Sequence, residues 1–322
     1  MKVLFIDTAH EILQTRLEEM GYQCDYFPDY DYSDYLECIG DYCGLIVRSK
    51  IKLDKTILQK AVKLHFIGRV GAGMENIDLD FARSQNIACL NSPEGNRDAV
   101  AEHALGMILA LRNHLIRVNT QVRQGVWLRA ENRGFEMKGK TLAIIGYGNM
   151  GKAFAQRLSG FEMNVIAYDK YLSNFSDQYA REVTLEDVYQ TADIISFHVP
   201  LTEETRYMFH KGWIQQMKKP FYLINTARGP VVKTDDLLQA LEAGQVLGAA
   251  LDVLEFEGTS FEQLKETHLP EAYRQLLKSD KVLLSPHIAG WTVESHIKLS
   301  SFIADKIELL ALHLNGKENN SK

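Results

Sequence analysis

Along most of this chain, short apolar runs alternate with stretches whose apolar residues recur at helical spacing. In the first third, residues 2–7, 44–49, 65–70 and 88–91 read as strands, and 10–20, 53–62 and 79–85 as helices. After Asn91 the rhythm changes. Residues 98–124 read as one long helix with Val100, Ala104, Met107, Ile108 and Leu111 as its apolar positions, followed by a polar loop over 129–140. A second alternating series then begins, with strands at 141–146, 165–169, 194–198, 221–226, 247–253 and 282–285. Thr184 and Asp187 have capping-box spacing, and Thr234 precedes two acids at the opening of another helix. Such β-α alternation predicts parallel sheets covered by helices on both faces. The expected fold class is therefore α/β, with one alternating parallel-sheet series before the long helix and one after it.

Composition narrows the function more than the fold. A formal net charge of −6 over 322 residues offers no broad basic field. Nucleic acid and membrane surfaces are thus not expected as partners, although a local basic pocket for one small anion remains compatible. The apolar run at the N-terminus is broken by Asp7 and lacks the features of a signal peptide, and the most apolar helical stretch, 103–111, is too short to cross a bilayer. Cys24, Cys38, Cys43 and Cys89 form no CxxC pair, so reduced thiols, a cytoplasmic location and no metal site are expected.

Two patterns carry chemistry. The first is Gly146-Tyr-Gly148-Asn149-Met150-Gly151, directly after a strand and opening a helix. Gly146 suits a tight turn, Gly148 a close approach of backbone to a pyrophosphate, and Gly151 close helix–sheet packing, with the anion at a helix N-terminus. Asp169 ends the next strand 18 positions beyond Gly151. An acid there accepts hydrogen bonds from ribose hydroxyls and repels a 2′-phosphate, which favours NAD over NADP; the adjacent Lys170 is a cation that could soften this preference.

The second pattern is a series of segments: Lys138-Gly-Lys-Thr-Leu-Ala-Ile-Ile-Gly-Tyr-Gly, His198-Val199-Pro200-Leu-Thr, Leu223-Ile-Asn-Thr226-Ala227-Arg228-Gly-Pro, Ala249-Ala-Leu-Asp252-Val and Leu284-Ser-Pro-His287-Ile-Ala-Gly290. In this order they resemble the D-isomer-specific 2-hydroxyacid dehydrogenase family, over nearly the whole chain. The resemblance implies an NAD-dependent oxidoreductase acting on a small 2-hydroxy acid/2-keto acid pair. A hydroxy acid loses hydride only if its hydroxyl proton also leaves, so a base is required. His287 matches the family's acid/base histidine, Glu257 its carboxylate partner, and Arg228 the arginine whose planar fork binds the substrate carboxylate. Glu255 competes with Glu257 for the partner's place, and Gly258 stands where the family usually has proline. The resemblance further implies that Asp252 binds the nicotinamide carboxamide and that Val199, Thr205, Thr226 and Arg228 line the nicotinamide side. His198, Pro200, Ala227 and Gly290 belong to the same cofactor-binding motifs.

In the first third, Gly68-Arg69-Val-Gly71-Ala72-Gly73 resembles the family's substrate-carboxylate loop, where successive N–H groups form an anion nest. Arg48 is a further substrate-binding candidate. Together with Lys50, Arg69, Arg129 and Arg133 it offers cations for a second anionic group such as a phosphate. The pattern is compatible with the family's short-form D-3-phosphoglycerate dehydrogenases, since only one dehydrogenase unit is present; glycerate dehydrogenase (hydroxypyruvate reductase) is the alternative. The resemblance implies two Rossmann-like, doubly wound parallel-sheet α/β domains with a cleft between them: residues 1–97 plus 291–322 as a flavodoxin-like substrate-binding domain, and 98–290 as an NAD-binding Rossmann domain. A homodimer is expected, with the helix at 103–111 as its contact or else buried within the monomer. Segment 258–281, with Phe261, Leu264, Tyr273 and Leu277, reads as partly helical, either a lid near the substrate or an excursion packed on the sheet. Two other classes stay open: a non-catalytic NAD-sensing protein like the family's corepressors, and a relative of formate dehydrogenases.

Overall fold

A computed structural model of the chain describes residues 1–258 and 270–319. It contains two compact units, one formed by Met1–Asn96 with 291–319, the other by Arg97–Gly258 with 270–290.

The first unit is a parallel five-stranded sheet: β1 (Lys2–Phe5), β2 (Gln23–Tyr26), β3 (Gly44–Val47), β4 (Phe66–Arg69) and β5 (Ala88–Asn91), in the order β2-β1-β3-β4-β5. This is the flavodoxin-like order. Its helices are α1 (Glu11–Glu19), α2 (Tyr32–Cys38), α3 (Lys55–Lys60), α4 (Leu79–Ser84) and the C-terminal helix Val293–Asn319. Successive strand side chains point to opposite faces. Leu4, Leu45, Val47 and Ile67 therefore pack with Tyr35, Ile39 and Ile57 on one side. Val3, Phe5, Ile46 and Phe66 pack with Leu13, Leu17, Ile303 and Ile307 on the other. Arg16 ties α1 to the C-terminal helix through Asp305 (2.5 Å) and Glu308 (2.9 Å).

The second unit opens at Arg97 within α5 (Pro93–Arg112) and continues with α6 (Leu115–Arg123). There follow β6 (Thr141–Ile145), α7 (Asn149–Arg157), β7 (Asn164–Tyr168), β8 (Arg181–Glu182), α8 (Leu185–Thr191), β9 (Ile194–Phe197) and α9 (Lys211–Ile214). β10 (Phe221–Asn225), α10 (Thr234–Glu242), β11 (Val246–Leu251), α11 (Glu271–Lys278) and β12 (Val282–Leu284) complete it. Its seven strands are all parallel, in the order β12-β11-β10-β9-β6-β7-β8. The connections reverse direction at β6, flanked by β7 and β9; in doubly wound sheets ligands bind beyond the strand ends at this switch point. Both faces are buried: Ala143, Ile145, Ile195 and Leu223 face one core, Leu142, Ile144, Ile194 and Ile224 the other. That is why these strands are apolar without alternation.

The single helix expected over 98–124 is two helices. The chain breaks at His114, whose backbone is left-handed (φ 54°, ψ 30°). The break has a tertiary cause. The buried Arg112 side chain reaches the carbonyls of Phe135 and Glu136 and lies over the Tyr222 ring at 4.9 Å, while the His114 ring meets Phe135 edge-on. Ala104, Met107, Ile108 and Leu111 are packed into the unit's own core. The exposed apolar residues lie instead on α6 and the loop after it: Leu115, Ile116, Val122, Trp127, Leu128 and Phe135.

The Thr184–Asp187 capping box is present. Thr234 is the first residue of α10 rather than its cap, and its N–H is taken by the Glu255 carboxylate at 3.0 Å. In segment 258–281, α11 buries Tyr273 and Leu276 and leaves Leu277 exposed; Phe261 and Leu264 lie outside the described residues. The four cysteines are free. Among the described residues, no helix is long and apolar enough to cross a membrane.

Candidate active site

The glycine turn occupies the switch point. Gly146 follows β6 with φ 94°, a conformation side chains rarely adopt. A Cβ there would lie 2.7 Å from the His198 carbonyl oxygen, so the loop after β9, with His198, Val199 and Pro200, packs directly against this turn. Gly148 caps α7, Asn149 and Met150 begin the helix, and a Cβ on Gly148 would meet nothing within 4 Å. Gly151 faces back onto the turn, where a Cβ would stand 2.1 Å from the Gly146 oxygen. Bare backbone at a helix N-terminus with open space before it is a cradle for a pyrophosphate. Asp169, just beyond β7, accepts the Tyr147 N–H at 2.9 Å on one oxygen and the N–H groups of Tyr171 (2.9 Å) and Leu172 (3.1 Å) on the other.

Two buried polar atoms nearby have no hydrogen-bond partner among the described residues: His198 Nδ1 and Thr226 Oγ1. The His198 Nε2 pairs with Ser196 Oγ at 2.8 Å, and burial pushes this histidine down to about 3, so the ring is neutral. Buried polar atoms ordinarily find partners; orphans beside a glycine cradle fit a bound polar ligand such as a dinucleotide. Thr205 closes the 200–205 turn, donating to the Pro200 carbonyl (2.6 Å) and accepting from Thr202 N–H (2.8 Å).

At the far side of the sheet's C-terminal edge, β12 ends in a turn carrying His287 at φ 56°, again left-handed. Its Nδ1 is 2.7 Å from Glu257 Oε2. The other Glu257 oxygen accepts the Leu254 N–H. Glu255 is engaged elsewhere, with Tyr207 Oη (2.7 Å) and Thr234 N–H, so of the two acids Glu257 is the one that meets the imidazole. Asp252, 1% exposed, holds the whole turn. Its carbonyl accepts the His287 N–H (2.7 Å), and its carboxylate accepts Ser285 Oγ (2.5 Å), Ile288 N–H (3.0 Å) and Ala289 N–H (2.8 Å). His103 of α5 completes this network, with Nε2 3.0 Å from Ser285 Oγ. Sequence reasoning missed His103: a single histidine on an apolar helix face carries no local signal of what it will meet.

Arg228 follows β10 in extended conformation, and its guanidinium donates to the Ala227 carbonyl at 2.7 Å. Asn225 braces this segment, donating to the Arg228 carbonyl and accepting the Ala227 N–H. Gly229 lies so close to the Leu254 carbonyl that a Cβ would be 1.9 Å from it, which packs the arginine's loop against the 254–257 segment. Gly290 ends the second unit after the histidine turn.

The first unit holds the remaining candidates. Ala72 and Gly73 lie in the loop after β4, where Asn91 Nδ2 donates to the Ala72 carbonyl at 2.6 Å and the Arg69 side chain crosses over Gly71. The Arg48 guanidinium stacks on the Trp291 ring at 4.1 Å and reaches Thr8 Oγ1 at 3.3 Å. The Lys50 amine donates to the carbonyls of Pro28 and Tyr30 and is thereby tied to its own unit. Arg129 and Arg133, in the second unit, are exposed.

The family profile described as "D-isomer specific 2-hydroxyacid dehydrogenase, NAD binding domain" matches residues 105–289. The chain belongs to the D-isomer specific 2-hydroxyacid dehydrogenase family. Over 97% of its length it is 34% identical to a D-3-phosphoglycerate dehydrogenase of Archaeoglobus fulgidus, of which it covers 57%. It thus spans little more than half of that relative. A hydroxypyruvate reductase of Thermotoga maritima is 35% identical over 85% of this chain and 86% of that protein. Among solved structures, a D-lactate dehydrogenase of Aquifex aeolicus complexed with NAD and lactic acid superposes with a TM-score of 0.82 at 27% identity, covering 97% and 96% of the two chains. In this family the second unit's sheet is the NAD-binding domain, and the cradle described above is of the kind that group requires.

Proposed function

We propose that the protein is an NAD-dependent oxidoreductase that transfers a hydride between nicotinamide and a D-2-hydroxy acid/2-keto acid pair. One observation carries the reading: the 2.7 Å Glu257–His287 pair, in the same unit as the glycine cradle. A protein that only sensed NAD would have no use for such a pair. When bound, nicotinamide supplies the hydride acceptor or donor. The chain's part is the proton. With Nδ1–H given to Glu257, the imidazole carries its lone pair on Nε2, placed to take the hydroxyl proton during oxidation and to return it during reduction. The carboxylate then stabilises the imidazolium. Arg228 binds the substrate carboxylate through its planar fork. We assign residues 98–290 to NAD binding, with Gly146–Gly151, Asp169, His198–Pro200, Thr205, Thr226, Ala227, Asp252 and Gly290 as its ligands. Residues 1–97 plus 291–322 are assigned to substrate binding, through Arg48, Ala72 and Gly73.

For the substrate we favour D-3-phosphoglycerate/3-phosphohydroxypyruvate, supported by the Archaeoglobus relative. Hydroxypyruvate is the second reading, supported by the Thermotoga relative, of which this chain covers 86%. We propose a homodimer through the apolar residues exposed on α6 and around Trp127, and a cytoplasmic site of action, which suits four free thiols. The test is NADH oxidation with 3-phosphohydroxypyruvate, hydroxypyruvate, glyoxylate, pyruvate and 2-ketoglutarate. Rapid turnover of the phosphorylated acid above the others is the expected result. Preference for hydroxypyruvate would select the second reading, and no turnover with NADH bound would overturn the enzymatic one.

A further inference from the structure

The rim of the cofactor cradle carries a charge arrangement that the proton-transfer chemistry does not use. Asp169 is held rigidly by three N–H groups at the end of β7, where the dinucleotide fingerprint places the adenosine ribose. The next residue, Lys170, is a cation beside that position, and a cation there is what a 2′-phosphate needs. In this structure the lysine is occupied. Its Nζ lies 2.6 Å from Glu204 Oε1, on the loop after β9, and 5.6 Å from the Tyr171 ring. Tyr171 Oη donates to the second oxygen of the same carboxylate at 2.5 Å. One acid thus bridges two consecutive residues at the rim. Each partner's ionisation reflects it: hydrogen bonding to Lys170 lowers Glu204, and hydrogen bonding to Glu204 raises Lys170 and Tyr171.

We infer that Glu204 is a cofactor-specificity residue: it sequesters Lys170 and keeps the ribose rim anionic, so that a dinucleotide bearing a 2′-phosphate is disfavoured. The inference rests on the second unit binding NAD. With Glu204 present the three side chains carry a net negative charge beside the ribose. Without it, Asp169 and Lys170 cancel, and the lysine is free to turn toward a phosphate. Both groups are about half exposed, with side-chain exposures of 56% and 51%, so water and salt screen the effect. The expected gain in NADPH affinity is therefore modest, about three- to twentyfold.

The experiment is a direct titration of NADH and NADPH, by quenching of protein fluorescence, into the wild type and the variants Glu204→Gln, Lys170→Ala and the double variant. Glu204→Gln is expected to tighten NADPH by that factor while NADH stays within about twofold. Lys170→Ala alone is expected to change NADPH binding less than about twofold, and in the Glu204→Gln background to remove most of the gain, leaving only the smaller part that comes from one fewer anionic charge at the rim. Equal effects on both cofactors, or a gain that survives loss of Lys170 in full, would overturn the inference. Wild-type protein that binds neither dinucleotide would instead overturn the cofactor assignment beneath it. Low salt should enlarge the gain and high salt should shrink it; a salt-independent gain would also count against the inference.

Discussion

Asp252→Asn is the substitution whose consequences the structure specifies most closely. The buried carboxylate accepts three hydrogen bonds, two of them from backbone N–H groups of the turn that carries His287. A hydrogen bond to a charged group contributes about 1.5–3 kcal/mol net. Asparagine keeps one acceptor oxygen and turns an NH2 toward one of the two backbone N–H groups, which lie on different carboxylate oxygens, so at least one buried N–H loses its partner. The expected loss is about 3 kcal/mol or more, a fall of roughly 6–12 °C in the transition of a unit this size. The turn would also relax from the left-handed conformation at His287, which costs about 1–3 kcal/mol to hold. A displacement of about 1 Å in a catalytic group is enough to reduce the rate about a hundredfold. Calorimetry gives the first quantity and steady-state reduction of the preferred 2-keto acid the second. Ser285→Ala, which removes one hydroxyl donor, should lose only about 1 kcal/mol. If the asparagine variant melts within about 2 °C of the wild type and retains kcat/KM within about threefold, Asp252 does not hold the turn.

Three further expectations concern separate parts of the site. Glu257→Gln should lower kcat/KM by about 10²–10⁴-fold while NADH binds as before, because the imidazolium loses its charged partner; an unimpaired rate would rule out the pair's role in proton transfer. Gly151→Ala places a Cβ 2.1 Å from the Gly146 oxygen and must prise helix from turn, so NADH should bind at least about tenfold more weakly by fluorescence titration. Unchanged binding would show that the glycine turn is not the cradle. His198 is depressed from 6.5 to about 3 by burial. The unfolded chain then binds more protons below pH 6.5, and stability present above that pH is lost as pH falls toward 3, about 2 kcal/mol of it by pH 5. His198→Gln should flatten this limb in denaturant titrations at pH 6.5 and 5; an unchanged slope would place the acid sensitivity elsewhere.

Much of this molecule was legible because its signals are local. Apolar runs buried on both faces announce parallel strands such as β9 and β10, and the limits of the half-buried edge strand β5, Ala88–Asn91, are legible as well. The glycine turn was readable because each glycine answers a constraint within a few residues of itself, and the Thr184 capping box for the same reason. Polar patterning hides an element from the sequence. β2 is an edge strand with polar Gln23 and Asp25, and α2 buries only Tyr35, so neither carried enough periodicity to be recognised. The break at His114 has no glycine or proline to mark it; it depends on Arg112 finding the carbonyls of a loop more than twenty residues away. The choice of Glu257 over Glu255 rests on the family resemblance, and no local pattern in the sequence gives a physical reason for it. Two acids two residues apart look alike until the fold places Tyr207 and the start of α10 beside one and His287 beside the other. Sequence alone determined which residue types the chemistry has available and which strands carry them. Tertiary structure decided which of them meet, because hydrogen bonds between residues far apart in the chain depend on how the strand ends are brought together.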